Sequence, residues 1–390
     1  MPWDALEFSM VSPKLMLGIG LMSGTSGDGV DVAIVRFDGG KIALLATGFL
    51  PYPAILRKEI MQASQPDGEA QLICRLNVEL GKVFAAAAML TAKKAGISMD
   101  EIRFIGSHGQ TIRHQPVSGK GKISSTLQIG EAAEIAHMCG CLVVSDFRPA
   151  DIAAGGCGAP LAPLAHHAMF ADEKQDRIVH NLGGISNITW LPAGCGQEKV
   201  AGFDTGPANM LIDLAVSHFS KGKAAFDKGG KTAMEGKVDK RMFGYCMAHP
   251  YYSEKPPKST GRETFGADYF GEILKRHKKV GKEDFLRTLC AVTAGSAVSQ
   301  AVRFLKPQKK FRWVLCGGGA YNNAIVAEIG ARLEGRGAVS LSGELGFGEK
   351  SVEPVLMAVL AHRTLHGLPG NLPQVTGAKM PMILGKISLP

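Results

Sequence analysis

A short turn crowded with glycine and hydroxyl residues constrains this chain more than any other feature. Ser23–Gly29, SGTSGDG, stands between two apolar runs of strand composition, Leu15–Met22 and Val30–Phe37. In the second run Val32, Ile34 and Phe37 fall between polar or small neighbours, the alternation of a half-buried hairpin. Gly24, Gly27 and Gly29 permit close backbone approach and positive φ, while Thr25 and Ser26 add hydroxyl donors. Backbone N–H groups exposed in succession form an anion nest that suits the phosphates of a nucleotide. Asp28 and Asp31 follow at once, and a hard cation such as Mg2+ takes carboxylate oxygen. A Walker loop ends in Gly-Lys-Ser/Thr, and this turn holds no Lys. A dinucleotide loop opens a helix, whereas Val30–Phe37 reads as strand, so Gly18-Ile19-Gly20 is a weak decoy. Plain chain reversal uses such turns too, and the rest of the chain must decide.

At 390 residues the chain exceeds one typical core and is expected to form two or more domains. Its 45% hydrophobic and 20% charged residues are those of a soluble globular protein. The 49 Gly cluster between apolar runs, as binding loops on a rigid α/β frame do. Met1–Lys14 carries Asp4 and Glu7 without a basic or long apolar region, so it does not read as a secretory signal. It is expected to be a disordered lead-in, with Met10 or Met16 as the true start. No apolar run reaches the roughly 18–20 residues of a membrane helix. Among eight Cys only Cys139-Gly-Cys141 is a close pair, and no spacing suggests zinc; a reduced, cytoplasmic setting fits. The net charge of +9 is spread out apart from Lys221–Arg241 and Arg276–Lys282, without interleaved aromatics. These patches read as solvated faces, and neither nucleic acid nor membrane is an expected partner.

Along the chain, Leu72, Leu76, Leu80, Val83/Phe84 and Ala87 have helical spacing over Glu69–Gly96. A short strand, Arg103–Ile105, is expected to enter a ligand loop, Gly106–His114, in which His108 and His114 could equally be surface histidines. Leu127–Gly140 reads as a helix starting near Glu131, and Cys141–Ser145 as a buried strand. Arg148 follows, able to clamp a carboxylate or simply to pair with Asp151 or Asp146. The second half repeats the opening design. Arg177–Pro192 is strand, Gly/Ser/Asn turn, strand; Asp204 then precedes the helix Asn209–Phe219, as a helix N-cap or as an acid at a strand end. Arg312–Cys316 feeds Gly317–Ala320 and a helix from about Asn322, a second strand–Gly–helix anion site. Phe285–Leu305 and Glu353–Leu365 read as long amphipathic helices. Two Gly-turn hairpins in two halves suggest a duplicated lobe with a nucleotide held between.

Eight segments, in order, resemble the family of anhydro-N-acetylmuramic acid kinases. They are MSGTSGDGVD (Met22–Asp31), SHGQTIRH (Ser107–His114), DFRPADIAAGGCGAPL (Asp146–Leu161) and NLGGISN (Asn181–Asn187). GFDTGPANMLID (Gly202–Asp213), PPKSTGRETF (Pro256–Phe265), CGGGAYN (Cys316–Asn322) and LPGNLPQVTGA (Leu368–Ala378) complete the set. The resemblance implies an α/β protein with two RNase H-like lobes of the actin/hexokinase/Hsp70 type and an interlobe nucleotide cleft. Residues 15–145 and 146–365 would be the lobes, with 366–390 a tail packing back on the first. It also implies a homodimer that, with ATP and Mg2+, turns the anhydro sugar and water into N-acetylmuramic acid 6-phosphate and ADP in peptidoglycan recycling.

The roles the resemblance implies fall on particular residues. Asp204 would be the general base that deprotonates water for attack on the anomeric carbon. Gly24, Thr25, Ser26, Gly27, Asp28, Gly29, Val30 and Asp31 would wrap the β- and γ-phosphates, with Asp28 and Asp31 on Mg2+. Gly183, Gly184 and Ile185 would form the second phosphate loop, and Gly317, Gly318, Gly319 and Ala320 would face the adenosine. Arg148 with His108, Gln110 and Thr111 would bind the sugar and its lactyl carboxylate. Glu353 would support the water or Asp204, although a structural charge at a helix N-terminus explains it as well. The chain departs from the family at Gly27, usually bulky and apolar, which should leave the turn floppier. Cys157 stands where Gln is common and Ala208 where Gly is usual; all three bear on affinity for ATP. Another sugar kinase of the same fold, or a pseudokinase, is the competing reading, and the retained Asp28, Asp31 and Asp204 count against the latter.

Overall fold

A computed structural model of the chain describes residues 15–24, 27–115, 123–308 and 310–390. Thr25 and Ser26 of the turn and the whole lead-in lie outside them. The strands are β1 (Met16–Ser23), β2 (Gly29–Asp38), β3 (Lys41–Pro51), β4 (Ile102–Gln115), β5 (Ser125–Ile129), β6 (Leu142–Ser145), β7 (Arg177–Leu182), β8 (Ile185–Leu191), β9 (Ala201–Pro207), β10 (Phe311–Cys316), β11 (Gly337–Leu341) and β12 (Lys386–Ser388). The chain divides into two compact units: residues up to Met169 together with Glu353–Pro390, and Phe170–Val352. The boundary drawn from sequence at 145/146 thus falls inside the first unit, as does the last long helix.

In the first unit the sheet order is β12-β6-β4-β1-β2-β3, with β5 paired to β4. β1, β2 and β3 form an antiparallel meander, and β4 and β6 add parallel to β1. A parallel return needs a crossover, supplied by helix Ala70–Ala95. Its buried Leu76, Leu80, Phe84 and Ala88 recur at four-residue spacing against Ile19, Leu21, Ile34 and Ile105, and Gly96 closes it at φ +70. The other face of the sheet is covered by helix Val352–Leu365. It sits so close that a Cβ at Gly20 or Gly106 would run into the carbonyl of Pro354 or Met357. That close seat, rather than a ligand, explains the glycines of β1. Buried on both faces, β2 shows no half-buried alternation: Val30, Val32, Ala33, Ile34 and Val35 are all buried.

The second unit repeats the order as β9-β8-β7-β10-β11, again an antiparallel meander followed by two parallel strands. Each unit therefore carries RNase H-like topology. Its core gathers Phe203, Phe265, Phe285, Leu289 and Trp313 around helix Lys282–Gln300. That helix is buried around most of its circumference and so is not amphipathic; Val352–Leu365 is likewise buried from Val355 to Ala361.

Two further expectations fail for one reason. Gly106–His114 is not a loop but the continuation of β4, a strand of 14 residues, and Leu127–Ile129 belongs to β5, while the helix expected to start near Glu131 runs over Ala132–Cys139 with Glu131 as its N-cap. β4 and β5 satisfy each other's backbone groups through pairs such as Gln110–Ile129 and His114–Thr126, a partnership between distant segments that local pattern does not announce. Among the described residues no helix is long and apolar enough to cross a membrane. All eight cysteines are free thiols.

Candidate functional site

In the first unit the Gly-rich turn is pinned at both ends. The Ser23 hydroxyl lies 2.6 Å from Gln110 Oε1 and 2.9 Å from the Gly29 carbonyl, and it accepts from Tyr52 Oη at 2.8 Å. Gln110 Nε2 donates to the Gly24 carbonyl at 3.2 Å, and the Tyr52 N–H to the Asp28 carbonyl at 2.9 Å. Gln110, 1% exposed, thus holds the turn, and no local pattern points to Tyr52. Gly27 takes φ +57 and donates its N–H to the Gly24 carbonyl at 3.1 Å. Glycine alone adopts that conformation without strain, so a bulky residue here would tax this turn rather than steady it. Burial first, then the Asp28 and Asp31 carboxylates, push the Tyr52 phenol up. Both acids therefore act on the Tyr52 hydroxyl. The described residues hold no group of three or more His, Cys, Asp or Glu able to hold a metal. Two carboxylates suit Mg2+ arriving with phosphate, since that ion keeps waters and phosphate oxygens in its shell.

Beside the turn, Arg148 opens a short helix, Arg148–Ala153. Its Nε and Nη2 donate to His108 Nε2 at 3.2 and 2.8 Å, and Nη1 donates to the Gly158 carbonyl at 2.8 Å. His108 therefore carries its proton on Nδ1, toward the Gly109 carbonyl at 2.9 Å. Burial, and then the charge of Arg148, hold this imidazole down to about 3, so it stays neutral. The alternative pairings are not made: Asp146 pairs with Lys386 at 2.5 Å, and Asp151 serves other donors. Burial lowers Arg148 to about 10, against the opposing pull of Glu353 and then Asp151. Glu353, in the first turn of its helix, acts electrostatically on the Arg148 side of this unit. Thr111 lies beyond Gln110 in β4 and accepts from Gln128 Nε2 at 3.4 Å.

In the second unit Asp204 sits within β9, opposite Asn187, where the register of β8 and β9 slips. It is not a helix cap; Ala208 occupies that position, without a side-chain bond. The Asp204 N–H donates to the Lys258 carbonyl at 3.3 Å, its carbonyl accepts from Tyr251 Oη at 2.7 Å, and its Oδ2 accepts from the Thr260 N–H at 3.0 Å. Oδ1 accepts from no described residue. Burial pushes the carboxyl up to about 7, the Thr260 N–H and Lys258 working against it and Glu263 with it. Lys258 donates to the Tyr251 carbonyl at 2.8 Å and stands 4.3 Å over the Tyr251 ring; burial lowers its ammonium to about 8. Sequence pattern assigns no role to Tyr251, Lys258 or Thr260, although PPKSTGRETF contains two of them.

A buried chain backs this strand. Trp313 Nε1 donates to His180 Nδ1 at 3.2 Å, His180 Nε2 meets Ser186 Oγ at 2.7 Å, and Ser186 Oγ meets Thr205 Oγ1 at 2.5 Å. The chain crosses β10, β7, β8 and β9 in order. At the strand ends, the Gly183 and Gly184 carbonyls accept from the N–H groups of Ala208, Asn209 and Met210. A Cβ at Gly317 would strike Asn181 and Leu182, so Gly317, at φ +79, lies against the Gly183–Ile185 turn. The two Gly loops of this unit are therefore neighbours, and Gly318 beside them faces open space.

The family model described as anhydro-N-acetylmuramic acid kinase matches residues 16–390. An anhydro-N-acetylmuramic acid kinase of Bacillus thuringiensis subsp. konkukian is 40% identical over 379 residues, 95% of this chain and 99% of that protein. One from Bacillus cereus strain AH820 is 41% identical over 378 residues, 95% of this chain and 98% of that protein. Among solved structures, a ROK family glucokinase from Streptomyces griseus in complex with glucose and AMPPNP is 16% identical with a TM-score of 0.36, over 89% of this chain and 99% of that one. The chain belongs to the anhydro-N-acetylmuramic acid kinase family.

Proposed function

We propose that the protein converts 1,6-anhydro-N-acetylmuramic acid, ATP and water into N-acetylmuramic acid 6-phosphate and ADP, in the cytoplasm and as a homodimer, in peptidoglycan recycling. The observation that carries this reading is the state of Asp204. One carboxylate oxygen is oriented by the Thr260 N–H, the other accepts no described hydrogen bond, and its affinity for a proton is raised to about 7. That suits a group that must take a proton from water near neutral pH. Water oxygen attacks the anomeric carbon as Asp204 takes its proton. The bond from that carbon to O6 breaks, and O6 takes the γ-phosphoryl group as its bond to ADP breaks. Arg148 keeps N–H groups for the sugar's carboxylate, because His108 and Gly158 use three of its five. Thr111 and the neutral His108 stand in the same strand. Backbone N–H groups of the Gly24–Asp31 turn, and those of Gly183–Ile185, take phosphate oxygens, while Gly317–Ala320 faces the nucleoside. Asp28 and Asp31 would hold Mg2+, which would neutralise charge on the phosphates.

The test is ADP release from the purified protein with Mg2+-ATP and the anhydro sugar, beside N-acetylmuramic acid and glucose, in oxygen-18 water. Release with the anhydro sugar alone, with one solvent oxygen at the anomeric carbon of the 6-phosphate, is the expected result. Release with an ordinary hexose overturns the substrate, and no release with any sugar overturns the kinase reading.

A further inference from the structure

The C-terminal motif LPGNLPQVTGA has no role in the chemistry above, yet it meets the sugar side of the first unit at a buried charge. Asp151 is fully buried. Its Oδ1 accepts from Asn371 Nδ2 and Thr376 Oγ1, each at 2.6 Å, and its Oδ2 from the Gly158 N–H at 2.7 Å. The same loop is tied to the same segment twice more through backbone. The Cys157 N–H donates to the Thr376 carbonyl, and the Lys379 N–H to the Ala154 carbonyl, both at 2.9 Å. There is no room for slack, since a Cβ at Gly156 would strike Asp151 Oδ2 and come within 3.0 Å of Ala378. Gly158 is the pivot. Its N–H is held by Asp151, and its carbonyl holds Arg148 Nη1 at 2.8 Å. With His108 fixing the opposite edge, the guanidinium is left one N–H on each terminal nitrogen among the described residues.

We infer that Asn371 and Thr376, acting through Asp151 and Gly158, are positioning residues that aim the Arg148 fork at a carboxylate on the substrate. Charge-assisted bonds to a buried carboxylate are the strong ones, and a bidentate fork loses affinity when its plane turns. The C-terminal segment is thus a specificity element and more than a fold-closing tail. This inference rests on Arg148 being the carboxylate clamp.

The experiment compares Thr376→Val, Asn371→Leu, Arg148→Ala and the double variant Thr376→Val/Arg148→Ala in steady-state assays with anhydro-N-acetylmuramic acid and ATP. Thr376→Val should raise the sugar KM about 3- to 10-fold, a fraction of one charged hydrogen bond because the effect reaches Arg148 through Asp151 and Gly158, and leave the ATP KM within about twofold. In the Arg148→Ala background the same change should add nothing, which a general loss of folding would not reproduce. Asn371→Leu gives an independent reading if Thr376→Val is poorly folded. If Arg148→Ala raises the sugar KM and neither tail variant does, or if the two effects simply multiply, the inference falls. If Arg148→Ala leaves the sugar KM unchanged, the clamp itself is wrong and the inference falls with it.

Discussion

Asp151 and Asp204 are two acids of one chain whose surroundings make opposite use of them. Asp151 is fully buried and receives three donors, two from side chains and one from backbone. Asp204 is partly buried and its carboxylate receives one. Burial disfavours a carboxylate charge, and donors aimed at the charge restore it. The first acid has donors on both carboxylate oxygens and ties a loop to the C-terminal segment. The second is undersupplied and keeps an oxygen that no described group claims. Donor number, more than depth, sets the two carboxylates apart.

Making each acid an amide separates the two most strongly. Asp204→Asn should cut kcat by about 10²- to 10⁴-fold with ATP affinity unchanged by calorimetry; turnover near wild type would remove Asp204 as the base. Stability should move the other way. A carboxyl raised from 3.8 to about 7 favours the folded state fully at low pH and loses that contribution as pH rises through this window. Asp204→Asn should therefore melt above the wild type at pH 8 and level with it at pH 4. Asp151→Asn should melt below the wild type at pH 8, by about 1–3 kcal/mol in stability, because an amide turns one acceptor into a donor facing other donors. Equal melting curves for that variant would show that the three bonds to Asp151 carry no net stability.

The smallest effect sharpens the picture of Asp204. Lys258 pulls its affinity for a proton down, Glu263 pushes it up, and the Tyr251 hydroxyl lies against the same backbone. Glu254 and Arg303 act in turn on Lys258. Lys258→Met should shift the acidic limb of the kcat/KM–pH profile upward from near 7, by about half a unit to one unit, and Lys258→Arg should restore it. A limb that stays in place with Lys258→Met would mean that Lys258 acts only by packing on Tyr251.

Legibility from sequence followed the range of the interaction. The Gly-turn hairpins, helix Ala70–Ala95 with its Gly96 cap, and Asn209–Phe219 were written locally, in spacing and in end signals. What went astray was non-local: β5 hidden at the start of a segment read as helix, and β4 running through a segment read as loop. The bond from Ser23 to Gln110 is equally beyond local pattern. Gly27 shows the same limit, since its positive φ is set by the turn it closes and cannot be read from its neighbours.

Residue order alone carries the family, the two-fold repeat of strand–turn–strand, and the short set of polar residues from which a site could be built. Which partners each of those residues meets was settled only in the folded chain. It made His108 a neutral prop for Arg148, joined Asn371 and Thr376 to Asp151 across more than 200 residues, and surrounded Asp204 with too few donors to quench it. The reason is physical. Residue type fixes what a side chain can donate or accept, but burial and the number of partners fix its charge, and both are properties of the folded surroundings.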